Sequence, residues 1–190
     1  MRRAVLAAMP SPPSAAFWLR TISLATFVTL LIGCDGASKY AVESALASSA
    51  PKRVIPGFFD VVYRENHDTA FSVFRRFSST AKPELLALVA SVATALIIWT
   101  WWRLRRGMSL SSHVACALTV AGAVGNVIDR VSRGYVIDFL HLHRGRFDWP
   151  VFNFADVFVV VGGALLLVEG GWHRFGRGAR GTTAADRTVT

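Results

Sequence analysis

The segment 83–102, PELLALVASVATALIIWTWW, carries a single charge, Glu84, at its start. Twenty predominantly apolar residues match the thickness of a bilayer's hydrocarbon core. Backbone donors and acceptors in that core find no water, so the segment has to be a helix. Pro83 suits a first helical turn, where an N–H is not needed. Trp99, Trp101 and Trp102 suit the aromatic belt at the far interface. Arg103, Arg105, Arg106 and Gly107 then make a tight, basic return.

Three further apolar runs lie at 17–40, 109–131 and 151–172. A chain of 190 residues, 53% hydrophobic and only 17% charged, fits a small polytopic membrane protein better than a soluble domain. The expected fold is mainly α: four transmembrane helices at about 17–40, 83–102, 109–131 and 151–172. A small β-rich extramembrane subdomain, about 41–82, joins the first two. Residues 54–63 supply its strand signal, β-branched and aromatic positions around Pro56 and Gly57. Residues 1–16 read as a disordered leader and 173–190 as a basic, polar tail.

The net charge of +9 does not point to nucleic acid, because the arginines flank apolar runs instead of populating a folded polar surface. They read as topology and lipid-headgroup signals. The leader and the Arg103–Arg106 turn favour an N-terminus on the cytoplasmic side. Cys34 and Cys116 lie in apolar runs without metal or redox spacing. Leu31, Ile32, Gly33 and Cys34 look like a lipoprotein cleavage box, but the three apolar runs that follow argue against a secreted lipoprotein precursor.

Counting alternating spans brings the polar residues to one membrane interface. Asp35 and Lys39 close the first span, spaced i, i+4 on one helix face. Asn126, Asp129 and Arg130 close the third, also on one face. Asp138 lies in the following loop, Asn153 and Asp156 open the fourth span, and Asn66 lies in the other loop on that side. Carboxylates at the mouth of a span are costly and by default functional.

His141 and His143 alternate along an extended piece, but a metal centre needs three or four ligands, and the pair reads more simply as a solvated loop. No metal or other cofactor is expected, and no nucleophilic serine signature is present. Two close acids can share a proton, one acting as base toward water, and hydrolyse an amide. Asp129 reads as the partner of the adjacent Arg130; for Asp138 and Asp156 a structural and a catalytic role are equally open. A small carrier or proton relay is the other class of function, although it would want its acids near mid-membrane.

Five segments, DGASK (35–39), NHDTAFS (66–72), GNVIDR (125–130), VIDF (136–139) and FNFAD (152–156), stand in the order found in the lipoprotein signal peptidases (signal peptidase II). The chain resembles that family of bacterial four-span aspartic peptidases over roughly 17–172. The resemblance implies that Asp138 and Asp156 are a catalytic dyad, cutting prolipoproteins before a diacylglyceryl-modified cysteine. It implies supporting or substrate-binding roles for Asp35, Lys39, Asn66, Asn126, Asp129, Arg130 and Asn153. It also implies a multi-pass inner-membrane protein with both termini cytoplasmic and the site at the periplasmic interface; a monomer among membrane lipids is the expected form. His67, Asp68 and Thr69 stand where small residues are usual after the matching asparagine, so a different backbone shape is expected in that loop. The aromatic residues of 50–78, among them Phe58, Phe59, Phe71, Phe74 and Phe77, are candidates for a cover over the site.

Overall fold

Ser14 starts the first helix: its Oγ accepts a hydrogen bond from the Phe17 N–H at 3.3 Å, satisfying one of the free donors of the first turn. The computed structural model describes residues 14–67 and 83–185. Most of the leader, the segment 68–82 with Asp68, Thr69, Phe71, Phe74 and Phe77, and the last five residues lie outside the described residues.

The order is α1 (Ala15–Leu46), β1 (Lys52–Ile55), β2 (Phe59–Asn66), α2 (Pro83–Leu104), a short 3-10 turn (Arg105–Gly107), α3 (Leu110–Arg133), β3 (Val136–Arg144), β4 (Phe147–Asp148) and α4 (Phe154–Ala185). The protein is mostly helical with one small antiparallel sheet. Among the described residues, three helical stretches are long and apolar enough to cross a membrane: Ala15–Leu46, Ala87–Gly107 and Leu110–Arg133. Helix α1 continues six residues past the expected 17–40, and α4 continues to Ala185, through most of the segment expected as a tail.

Helix α3 is the centre of the bundle, packing against α4 and also against α1 and α2. Its buried positions are small: Ala115, Cys116, Ala117, Ala121, Gly122 and Gly125. Small residues let helix backbones approach where no hydrophobic force drives them together in lipid. At Gly122 the approach is complete, since a Cβ there would collide with the Ala155 carbonyl and the Val159 side chain of α4. The large apolar side chains point outward. Leu30, Trp99, Leu110 and Val131 are all more than half exposed, as lipid-facing positions must be.

The interior is inverted in kind. The largest fully buried side chains are Lys39, Ile137, Asn153 and Asp35, three of them polar. They gather where the helices meet the sheet.

The sheet has the order β1-β2-β3-β4, with every neighbouring pair antiparallel. The expected loop 132–150 is instead largely strand, so the sheet draws on both connections and Asp138 sits in β3. The physical reason is edge pairing. β2 alone would present a row of unpaired backbone groups. The β-branched and aromatic run from Val136 to His143 supplies the partner, with Asn66 opposite Val136 and Arg64 opposite Asp138. Gly134, at φ 84°, ends α3 in the left-handed conformation that side chains disfavour and turns the chain into β3.

Candidate active site

Phe152 brings the two halves of the site together. It exchanges backbone hydrogen bonds with Leu140: its N–H donates at 3.0 Å and its carbonyl accepts at 2.8 Å. This bridge lays the start of α4 along β3. The next residue, Asn153, then falls beside Asp138.

Asn153 is fully buried and serves both acids. Its Nδ2 donates to Asp138 Oδ1 at 2.7 Å, and also approaches Asn126 Oδ1 at 3.2 Å and the Ile137 carbonyl at 3.3 Å. Its Oδ1 accepts from the Asp156 N–H at 3.0 Å, while its own N–H donates to Asp156 Oδ2 at 3.2 Å. Those last two bonds form a capping box, with Asn153 as N-cap and Asp156 three residues on. The carboxylate also lies at the positive end of the helix dipole.

Each acid is gripped at both oxygens. Asp138 Oδ2 accepts from Asn66 Nδ2 at 2.8 Å, complementing the Asn153 bond. Asp156 Oδ1 accepts from Asn126 Nδ2 at 2.8 Å. Every one of these donors is an amide, so the acids are oriented without being neutralised. Burial, and then the negative charge of Asp156, push the Asp138 carboxyl up to about 7, against the lowering pull of Asn66, Asn153 and Lys39. The two acids therefore feel one another, the condition under which a pair holds its protons as a unit.

Beneath them lies a charged cluster. Lys39 Nζ reaches Asp35 Oδ2 at 2.6 Å, Asp129 Oδ2 at 2.8 Å and Asn126 Oδ1 at 3.2 Å, so the ammonium's three donors have three partners. Asp35 Oδ1 accepts from the Ala155 N–H at 2.9 Å, tying α1 to the first turn of α4. Asp129 is not the partner of Arg130 as expected. It pairs with Lys39 and lies 3.8 Å from Arg133 Nε, since i and i+4 share a helix face while neighbours diverge. Arg130 Nη1 donates to the Asn126 carbonyl at 3.3 Å, and its charge acts on Asp156, Asp138 and Asp129. All nine residues singled out in the sequence thus fall in one hydrogen-bonded and charged neighbourhood.

A model of the signal peptidase (SPase) II family matches residues 27–170. The chain belongs to the signal peptidase II family. A lipoprotein signal peptidase of Geobacter metallireducens is 40% identical over 150 residues, covering 79% of this chain and 90% of that protein. One from Solibacter usitatus is 36% identical over 140 residues, covering 74% and 85%. A solved bacterial membrane enzyme, 23% identical, has the same fold with a TM-score of 0.67 over 77% of this chain and 91% of its own. Membership of the signal peptidase II family makes the chain an aspartic peptidase and so a hydrolase.

Some participants escaped the sequence. The Ala155 N–H, which holds Asp35, is backbone and carries no residue signature. Glu43, 2.6 Å from Arg133 Nη1, extends the α1–α3 contact beyond the signal peptidase II motifs. Its signal was available, because it continues the helical face of Lys39 at i+4.

Proposed function

We propose that the protein removes signal peptides from prolipoproteins, hydrolysing the bond before a diacylglyceryl-modified cysteine, with Asp138 and Asp156 as the catalytic pair. The observation that carries this reading is the sharing of Asn153 by both acids in a chain of the signal peptidase II family.

In this reading Asp138 carries the pair's shared proton, because Asp156 has the Arg130 charge and the first turn of α4 to hold it as the anion. Asp156 is the base. It takes a proton from water as the water oxygen bonds to the scissile carbonyl carbon, and Asp138 passes its own proton to the carbonyl oxygen. The tetrahedral diol then collapses. The C–N bond breaks, Asp156 returns its proton to the leaving nitrogen, and a diol hydroxyl returns one to Asp138. Asn66, Asn126 and Asn153 hold the acids in place, and Arg130 moderates the charge that develops. Asp35, Lys39 and Asp129 support the site by fixing the helix ends. No step calls for a cofactor.

The same reading makes α4 a fourth span, with 17–172 as the membrane peptidase unit. Both termini would lie in the cytoplasm of a bacterial inner-membrane protein, and the sheet and acids at the periplasmic interface. A substrate with two acyl chains can be cut only at headgroup depth, and a site at a helix–sheet junction suits that need. The enzyme would act as a monomer among lipids. A carrier or proton relay is not favoured, since it would want acids spread along several helices near mid-membrane.

The test is separate replacement of Asp138→Asn and Asp156→Asn, following cleavage of a lipid-modified precursor in detergent. Each variant is expected to lose about two to four orders of magnitude in rate. Normal cleavage by either one would overturn the mechanism.

A further inference from the structure

We propose that Asp60, His141 and His143, closed by Asp148, form a binding site for a divalent transition metal of the zinc class on the sheet. The register builds it. Residues directly opposite in an antiparallel pair share a face, as do residues two apart on one strand. Asp60 of β2 lies opposite His141, Asp148 of β4 lies opposite His143, and the two histidines are two apart on β3. Three strands thus deliver four potential ligands to one patch.

The distances agree. One donor atom each of Asp60, His141 and His143 lies within 4.8 Å of the others. His143 Nε2 is 3.0 Å from Asp60 Oδ2, and His141 Nε2 is 2.7 Å from Asp148 Oδ1. Ligands about 2.0–2.1 Å from a tetrahedral zinc ion sit about 3.3 Å apart, a spacing within reach of side-chain rotation. The imidazole centroids lie 4.9 Å apart with the rings tilted by 30°, and each Nε2 meets a carboxylate oxygen.

Asp60 supplies a second, independent sign. Its Oδ1 is buried with no hydrogen-bond partner, although Oδ2 is engaged by His143. A buried, unsatisfied carboxylate oxygen is costly and calls for an explanation. A cation at the cluster provides one. Two imidazoles with carboxylates suit zinc, whereas magnesium and calcium prefer all-oxygen shells. Asp148, 77% exposed, would close the site from the solvent side.

The site is structural and separate from the acids. His141 stands three residues along β3 from Asp138, about 10 Å of extended chain. A metal here staples β2, β3 and β4, and so steadies the sheet that carries Asn66 and Asp138.

The experiment uses the full chain, free of any histidine tag, purified in detergent and stripped with a chelator. Titration with Zn2+ is expected to reach one ion per chain and to raise the thermal midpoint. Co2+ is expected to give visible absorption bands of a four-coordinate site without any substitution. His141→Gln, His143→Gln and Asp60→Asn are each expected to weaken zinc binding at least about tenfold. His67→Gln, outside the cluster, is expected to bind as the parent does. The proposal is overturned if the parent chain binds no stoichiometric zinc and shows no cobalt bands. Unchanged zinc affinity in both histidine variants would overturn it equally.

Discussion

Asn153 and Asp156 hold each other by two reciprocal hydrogen bonds, side chain to backbone in each direction, at 3.0 and 3.2 Å. The group that starts the last helix and the acid proposed as base are therefore one unit. Asn153→Ser separates the two roles. Serine can still cap the helix, but it is too short to reach Asp138. The variant is expected to keep a thermal midpoint near the parent's while kcat falls at least about tenfold. Asn153→Ala should lose about 1 kcal/mol of stability as well. Thermal melts and cleavage kinetics on the same preparations distinguish them.

Lys39 is the only cation in salt-bridge contact with Asp35 among the described residues, and it also pairs with Asp129. Lys39→Met leaves buried carboxylates without their counter-charge. A loss of about 3–5 kcal/mol is expected, read as a drop in unfolding midpoint in detergent. Adding Asp35→Asn and Asp129→Asn to Lys39→Met should recover part of that loss. A triple variant that recovers nothing would mean that the cluster acts through packing instead of charge.

Asp138 sets a pH dependence. Its folded pKa of about 7 lies above its ordinary value of 3.8, so the folded protein binds this proton more tightly than the unfolded chain. Stability from this group is full at pH values below about 3.8 and is lost as pH rises to about 7. Activity that needs a protonated Asp138 should fall on the alkaline side with a midpoint near 7. In Asp156→Asn the neighbouring charge is gone, and the Asp138 carboxyl should titrate lower. A carbon-13 carboxyl titration reads that shift directly.

Gly125 lies against the charged cluster. A Cβ there would sit 2.8 Å from Asp35 Oδ2, an oxygen already fixed by Lys39. Gly125→Ala is expected to cost about 1–3 kcal/mol and to lower activity by displacing α1. An alanine variant with the parent's melting temperature and rate would show that α1 can shift freely.

The helices and the acids were legible in the sequence for a simple reason: lipid imposes long apolar runs, and polar residues at their ends stand out. The Asp35–Lys39 pair was legible because both residues share one turn. The partner of Asp129 was not. Lys39 is far away along the chain, and only the packing of α1 on α3 brings it closer than the adjacent Arg130. The strand β3 was half visible. Its histidines showed period-two spacing, but a short stretch between two long apolar runs reads as a loop until β2 offers an edge to pair with. The cluster of Asp60, His141 and His143 follows from that pairing and could not be read before it.

The Asp35–Lys39 contact also bears on how the chain is made. Asn126, which Lys39 contacts across 87 residues, and Asp129 are both synthesised long after the first helix. Until they arrive, α1 enters the bilayer with a cation and an anion one turn apart, a neutral couple that needs no outside partner. The later helix then inserts Asp129 and Asn126 around an ammonium that is already in position. Insertion of the first helix and assembly of the finished interior are thus served by the same two side chains, in sequence.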